Sequence, residues 1–334
     1  MTRRKANKRT SLLLLVGGAV LILVLGLFIT GWGVRVAEAL ARAVEALVPS
    51  EVSFTREGGD TVPEQVKPKV VHVETPARVK SIYMSQCVVG TPTFRDSLVE
   101  LVDTTELNSI IIDIRDYTGK ISFPTTHPLL ADSVSDACGA TDMKEFIARL
   151  HEKNIYVIGR ITVFQNPYYT SQYPEQAVQS TKGGVWKDKK GLAFVDVGAR
   201  EYWDSVVALA EESYAIGFDE INFDYIRYPS DGPMAEAVYR NEGKSKPEML
   251  EEFFKYLHSK LESSGMVTSV DLFGMTTTNT DDLNIGQVLE RALPYFDYIS
   301  PMVYPSHYPN GFNGYANVNA HSYDIVYYSM KEAV

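Results

Sequence analysis

Residues 217–232 read GFDEINFDYIRYPSDG. In a strand, alternation puts Glu220, Asn222 and Asp224 on one face and Ile221, Phe223 and Tyr225 on the other. A carboxylate at the mouth of such a strand, flanked by an aromatic and followed three residues on by Arg227, is expensive to place unless it is used or paired. Asp224 is therefore either a catalytic carboxylate or half of an Asp224–Arg227 ion pair that braces the loop.

Outward from this stretch, strand and helix patterns alternate. Strands are expected at 79–87 (VKSIYMSQC), 108–116 (NSIIIDIRD), 154–164 (NIYVIGRITVF), 218–229, 266–275 (MVTSVDLFGM) and 296–305 (FDYISPMVYP). Helical spacing of apolar residues marks 92–105, 141–154, 200–216, 246–264, 284–296 and 322–334, with Thr141 placed to cap the second of these. Nearly continuous apolar strands alternating with helices mean a parallel sheet covered on both faces. An open doubly wound sheet and a closed barrel both fit. No strand leads into a Gly-x-Gly-x-x-Gly turn or a P-loop. Polar residues instead gather at the C-terminal strand ends: Asp113, Asp116, Arg160, Asp224, Arg227, Asp271, Tyr304 and His307. In a barrel those ends converge on one face, where active sites form. The fold expected is α/β, a (β/α)8 TIM-type barrel over 79–334. A barrel of about 250 residues normally holds eight units, and only six are read here, so the barrel is expected to be truncated after its sixth unit.

The N-terminus carries a different signal. Residues 1–10 hold five basic residues and no acid, and Leu12 to Trp32 is a run of 21 positions without a charge. About 20 apolar residues span a bilayer as a helix, with basic flanks on the cytoplasmic side. The expectation is a cytoplasmic segment at 1–10, a transmembrane helix at 11–32, and a single-pass protein of the cell membrane with its body on the extracytoplasmic side. The alternative is a cleaved signal peptide, whose apolar region is shorter, about 7–15 residues. Residues 33–78 read as an amphipathic juxtamembrane helix followed by a polar linker containing Pro63, Pro68 and Pro76.

With 45% hydrophobic and 22% charged residues, the chain is not a disordered or low-complexity protein. The net charge of −10, more negative still beyond the basic decapeptide, excludes a nucleic-acid binder. Two cysteines exclude a disulfide-dense scaffold and a four-cysteine zinc site. Cys87 and Cys138 fall in adjacent units at the same face and are either bridged or separate thiols. The six histidines show no His-x-x-x-His spacing; no metal and no cofactor is expected.

Asp271 supplies a second carboxylate, the one ionisable group of its strand, either as a catalytic acid or as a loop-bracing one. Neighbouring strands lie about 4.8 Å apart. Two carboxyls on adjacent strand mouths therefore reach the separations of glycoside hydrolysis, about 5–5.5 Å for retention or 6.5–9.5 Å for inversion. Asp113 and Arg115 should share one face, with Arg160 paired to Asp113 beneath the site. His307 is placed either to contact substrate or to serve as a hydrogen-bonded structural residue. Tyr168, Tyr169, Tyr173, Trp186, Tyr225, Tyr228, Tyr304, Tyr308, Phe312 and Tyr315 fall mostly in loops at the same face, where aromatic faces with polar tips suit sugar rings or pack the loops.

Three segments, IIIDIRDYTGKISF (110–123), FDEINFDYIRYP (218–229) and YISPMVYPSHY (298–308), in this order and spacing, resemble the family of putative glycoside hydrolases, from about Val79 onward. The resemblance implies an eight-unit barrel distantly related to the alpha-amylase-like hydrolases, often behind an N-terminal anchor, with two strands beyond the sixth unit. By that analogy Asp224 takes the fourth-strand nucleophile position. Asp271 stands near the fifth-strand acid, usually Glu, and Asn222 occupies a position usually Arg. Family 18 chitinases carry Asp-x-x-Asp-x-Asp-x-Glu on this strand. Aligning Asp219 and Asp224 with it puts Asn222 and Ile226 at the remaining positions, without the catalytic Glu. The expected function is that of a membrane-anchored extracytoplasmic glycoside hydrolase acting on a polysaccharide or cell-envelope glycan. Asp224 and Asp271 would be catalytic, and Asp113, Arg160, Asn222, Arg227, Tyr304 and His307 would contact substrate. The alternative is a non-catalytic carbohydrate-binding or envelope scaffold barrel.

Overall fold

A computed structural model describes residues 70–334. The expected segments at 1–10 and 11–32, and most of 33–78, lie outside the described residues. Among the described residues no helix is long and apolar enough to cross a membrane.

Six parallel strands form one curled sheet: β1 (Ser81–Met84), β2 (Ser109–Arg115), β3 (Tyr156–Thr162), β4 (Glu220–Asp224), β5 (Val267–Phe273) and β6 (Tyr298–Met302). They stand in chain order, each hydrogen-bonded to the next. The expectation of parallel strands alternating with helices holds. The six units read from the sequence correspond to these six strands, which make an arc of a barrel, and β1 and β6 each have one neighbour among them. The main helices are α1 (Pro92–Thr104), α2 (Met143–Glu152), α3 (Arg200–Ile216), α4 (Lys246–Leu261), the single turn α5 (Leu289–Ala292) and α6 (Ser322–Glu332).

Alternation along the strands separates two chemistries. One face carries Ile110, Ile112, Ile114, Ile221, Phe223, Val270 and Leu272, all fully buried in the main core with Phe146, Tyr202, Trp203, Phe253 and Phe254 of the helices. The other face carries Tyr83, Asp113, Arg160, Asn222, Asp224 and Asp271, joined by hydrogen bonds. Burying a large apolar side chain contributes about 1.5–3 kcal/mol, so the apolar face alone commits the sheet to a helical cover. The polar face is left to line the inside of the arc.

Local chemistry sets the boundaries. Helix α4 opens on a capping box, in which Ser245 Oγ accepts from the Glu248 N–H and the Glu248 carboxylate accepts from the Ser245 N–H. Helix α3 stops at Gly217, whose φ of 120° favours glycine, and a Cβ there would meet Ile147 at 3.0 Å. That stop delivers the chain into β4.

Other expectations are corrected. Thr141 does not cap α2; the cap position is Asp142, whose carboxylate instead takes the Arg95 guanidinium at 2.8 and 2.5 Å. The helix expected over 284–296 is reduced to α5. Leu283 and Asn284 adopt positive φ, and the buried Gln287 accepts from the Phe273 N–H. Cys87 lies in a short helix, Gln86–Val89, rather than at the end of a strand. Arg115 does not share the face of Asp113. A bulge between them turns Arg115 so that Nε donates to the Thr162 carbonyl at 2.9 Å and its guanidinium lies over Tyr202.

The chain's approach to β1 is anchored. Val73 N donates to Asp219 Oδ1 at 2.7 Å, His72 stacks on Tyr214 with ring centroids 3.9 Å apart, and Thr75 bonds the Tyr156 hydroxyl at 2.9 Å. Asp219 also accepts from the Val157 N–H and faces His151. The described end of the stretch expected to be a linker thus lies against the body.

Cys87 and Cys138 form a disulfide, with Cα atoms 4.6 Å apart, across a sequence separation of 51. It ties the segment after β1 to the loop after β2. Closing a loop of this size constrains the unfolded chain and contributes about 2–4 kcal/mol. Urea unfolding with and without reductant should therefore show a loss of about that size, and Cys87→Ser should match the reduced protein.

Candidate active site

The site grows out of the polar face at the C-terminal ends of β2 to β5. Parallel register sets Asp113 opposite Arg160, and Arg160 opposite Asn222. Pairing of Phe223 with Val270, continued by one residue, brings Asp224 opposite Asp271.

Arg160 is the centre. Its Nη1 donates to Asp113 Oδ1 at 2.7 Å, its Nε donates to Asp224 Oδ2 at 3.1 Å, and its Nη2 closes a second short contact with the same oxygen. The expected Arg160–Asp113 pair is present, and it extends to Asp224. Burial disfavours the guanidinium charge, but the Asp224 and Asp113 carboxylates outweigh it and raise the Arg160 pKa. Tyr83 of β1 donates its hydroxyl to the other oxygen of Asp113. Burial raises the Asp113 pKa, opposed by Arg160 and Tyr83.

Asp224 Oδ1 accepts from the Tyr225 N–H at 2.5 Å. Tyr225 has φ of +49°, a left-handed conformation that costs a non-glycine residue about 1–3 kcal/mol. The turn at Tyr225 aims the end of β4 into the arc.

Asp271 is set differently. Asn222 Nδ2 donates to its Oδ1 at 2.9 Å and contacts Ser269 Oγ at 3.1 Å. Among the described residues no cation forms an ion pair with Asp271. Burial first, and the Asp224 charge second, push its pKa up to about 7, against the opposing effects of Asn222 and Arg160.

A cavity of about 500 Å³ opens above this cluster, lined by Arg160, Asp224, Tyr225, Arg227, Phe273, Gly274, Met275, Met302, His307 and Tyr308. Gly274 is required for space: a Cβ there would meet the Met302 carbonyl oxygen at 2.6 Å and the Tyr308 hydroxyl at 2.7 Å. Arg227 does not pair with Asp224, which rules out the bracing ion pair. Its guanidinium is held between Tyr225 and Phe273, 5.0 and 4.7 Å from the ring centroids, and Nη1 donates to the Tyr228 carbonyl at 2.9 Å.

Of the residues singled out from sequence, Arg160, Asp224, Tyr225, Arg227, His307 and Tyr308 reach the cavity wall. Asp113, Asn222 and Asp271 lie in the hydrogen-bonded layer beside it. Tyr304 is exposed, with its ring 5.2 Å from His307 and off the wall. Asp196 is a buried loop acid, accepting from the Gly198 and Arg240 N–H groups. Several aromatics belong to packing. Trp186 is buried with Val178 and Phe194 under a small ribbon formed by Gln179–Ser180 and Ala237–Val238, and Tyr228 is buried with its hydroxyl on Asn241. Tyr83, Phe273, Met275 and Met302 were not legible as site residues, although Tyr83 does fall on the same strand face as a C-terminal polar end. Among the described residues no group of three or more His, Cys, Asp or Glu side chains is arranged to hold a metal ion.

This arc of parallel strands, with acidic and basic groups gathered at its C-terminal mouth, has the architecture of part of a TIM-type barrel, whose active sites form at that end. The family described as "putative glycosyl hydrolase domain" matches residues 81–334, and the chain belongs to it. Among solved structures, the chain is similar to a hypothetical protein from Ruminiclostridium thermocellum, at 30% identity and a TM-score of 0.53, covering 61% of this chain and 98% of that one. Two further likenesses are weaker. The Flavobacterium johnsoniae chitobiase gives 15% identity and a TM-score of 0.44, over 73% of this chain and 43% of that one. A noncanonic maltogenic alpha-amylase from Thermotoga neapolitana gives 12% and 0.42, over 66% and 48%. The chain thus spans less than half the length of these two enzymes. No curated protein matches the sequence.

The Asp271 environment has a consequence for stability. An acid whose pKa rises from 3.8 unfolded to about 7 folded binds its proton more tightly in the native state. Its contribution is therefore full below about 3.8 and is lost as pH rises toward 7. Urea unfolding from pH 4 to pH 8 should show the native protein losing stability relative to Asp271→Asn over that window. Parallel pH curves for the two proteins would contradict this assignment.

Proposed function

We propose that the chain hydrolyses O-glycosidic bonds of a polysaccharide or cell-envelope glycan, with Asp224 as nucleophile or general base and Asp271 as general acid. The observation that carries this reading is the contrast between two carboxylates on neighbouring strands. Asp224 is clamped by the Arg160 guanidinium, while Asp271 has an amide partner and, among the described residues, no paired cation. Environments that push two carboxyl groups apart in this way divide the roles of acid and base. Asp224 stands at the cavity wall, where an anionic oxygen meets the anomeric carbon. Asp271, with its pKa pushed up to about 7, is still partly protonated at neutrality and can deliver that proton to the leaving-group oxygen. Arg160 keeps Asp224 oriented and shares its charge with Asp113.

The alternative, a barrel that binds glycan without cleaving it, is favoured by one observation: Asp271 stands beside the cavity wall rather than on it. Turnover separates the two. A panel of oligosaccharides and envelope glycans should yield reducing ends with the native chain. Asp224→Asn and Asp271→Asn should each slow release by about 10²–10⁴-fold, and activity should decline as pH rises above the Asp271 range near 7. Binding without release, unchanged by either substitution, would favour the non-catalytic barrel.

The reading includes a membrane anchor at 11–32 with the body outside the cytoplasm. It is supported by the uncharged run from Leu12 to Trp32 and by the Cys87–Cys138 disulfide, because such bonds persist in oxidising compartments. Protease accessibility of the body in intact cells, with the protein retained in the membrane fraction, is the test.

A further inference from the structure

We infer that the cavity carries a subsite for a carboxylate-bearing sugar, a hexuronic acid, with Arg227 as its binding residue. This rests on reading the cavity as a glycan site and narrows its substrate class. The starting point is a charge without a counter-charge. Arg227 is 8% exposed and lines the cavity, yet no carboxylate forms an ion pair with it among the described residues. Its situation differs from that of Arg160, which is saturated by Asp113 and Asp224. Asp224, Asp231 and Asp188 favour the Arg227 charge from a distance, but burial prevails and lowers its pKa. Arg95, also buried, is held by Asp142, whereas Arg115, the other buried arginine without a carboxylate, lies among the core side chains over Tyr202 and off the cavity wall, so among the described residues Arg227 is the unpaired arginine that a ligand in the cavity can reach.

The side chain is also preorganised. Tyr225 and Phe273 flank the guanidinium, and one N–H is committed to the Tyr228 carbonyl. The guanidinium presents five N–H donors in a planar fork, a geometry that matches the two oxygens of a carboxylate. A pyranose ring carrying that carboxylate would find apolar surface in Tyr225, Phe273, Met275 and Met302, which line the same cavity. A neutral sugar would leave the buried charge unmatched.

Binding is measured on the full chain in the Asp271→Asn background, which leaves Arg160, Asp224 and Arg227 intact and suppresses turnover. The probes are glucuronate, galacturonate and mannuronate oligosaccharides, neutral oligosaccharides of equal length, and a sulfated oligosaccharide. At least one uronate oligomer should bind tenfold or more tighter than its neutral counterpart. Arg227→Met should bring the two to parity while neutral binding is kept. Arg227→Lys, which retains charge and volume without the fork, should lose most of the preference and guards against a folding defect in the Met variant. Neutral oligosaccharides bound as well as uronates would overturn the subsite and leave the glycan reading standing. A uronate preference with no hydrolysis by the native chain would overturn the hydrolase reading and leave the subsite standing. A preference that survives both Arg227 substitutions, or an equal gain from sulfate, would remove the carboxylate assignment, and no binding of any probe would overturn both.

Discussion

The hold of Arg160 on one oxygen of Asp224 through two N–H groups, shared with Asp113, is the interaction on which the site depends. Three strands meet through it: β2 supplies one carboxylate, β3 the guanidinium and β4 the other carboxylate. Charges inside a protein are tolerated when paired and costly when not. Removing one member of a buried pair costs about 3–5 kcal/mol, because the other is left behind. Arg160 therefore does two jobs with one group. It makes two carboxylates affordable on the inner face of the arc, and it fixes the orientation of the one at the cavity wall.

The sheet makes this possible by dividing its faces. Branched and aromatic residues on the outer face commit β2, β4 and β5 to the helices, and the core they form is continuous from Val102 of α1 to Leu261 of α4. The stability of that layer supports the strained turn at Tyr225 and the polar inner face. The anchoring of Val73 and His72 on Asp219 and Tyr214 belongs to the same economy: Asp219, one residue before β4, is spent on backbone N–H groups at the opposite end of the strand from Asp224. Its place in a chitinase-like alignment is thus filled by a structural acid.

The two arginines at the cavity illustrate how position outweighs residue type. Arg160 sits within a strand, where register sets Asp113 directly beside it on one side and Asn222 on the other, with Asp224 two residues further along the same face and within reach of the guanidinium. Arg227 follows the left-handed turn, so the chain carries it away from Asp224 and between two rings. One guanidinium is a structural clamp, and the other is left facing the cavity.

The sequence by itself determined the alternation of strands and helices, the parallel sheet, and the polar residues at its C-terminal edge, because period-2 and period-3.6 patterns record which face each residue must bury. Helix α3 is read at its observed ends, since Gly217 stops it locally. The Asp113–Arg160 contact was legible for the same reason, as adjacent inward positions on neighbouring strands. Tertiary structure decided what depends on register and on turns. Arg160 rather than Arg227 meets Asp224, because a +49° φ at Tyr225 redirects the chain after the strand. A bulge after Asp113 sends Arg115 to the other face. The helix expected over 284–296 shrank to one turn when Gln287 was drawn to the Phe273 backbone. The cavity wall recruited Phe273, Met275 and Met302, whose apolar side chains look like core in any local pattern. Local sequence records preferences of a residue for its own backbone and its own face. Which partner lies across a turn or a bulge is a long-range property, set only when the whole sheet has curled.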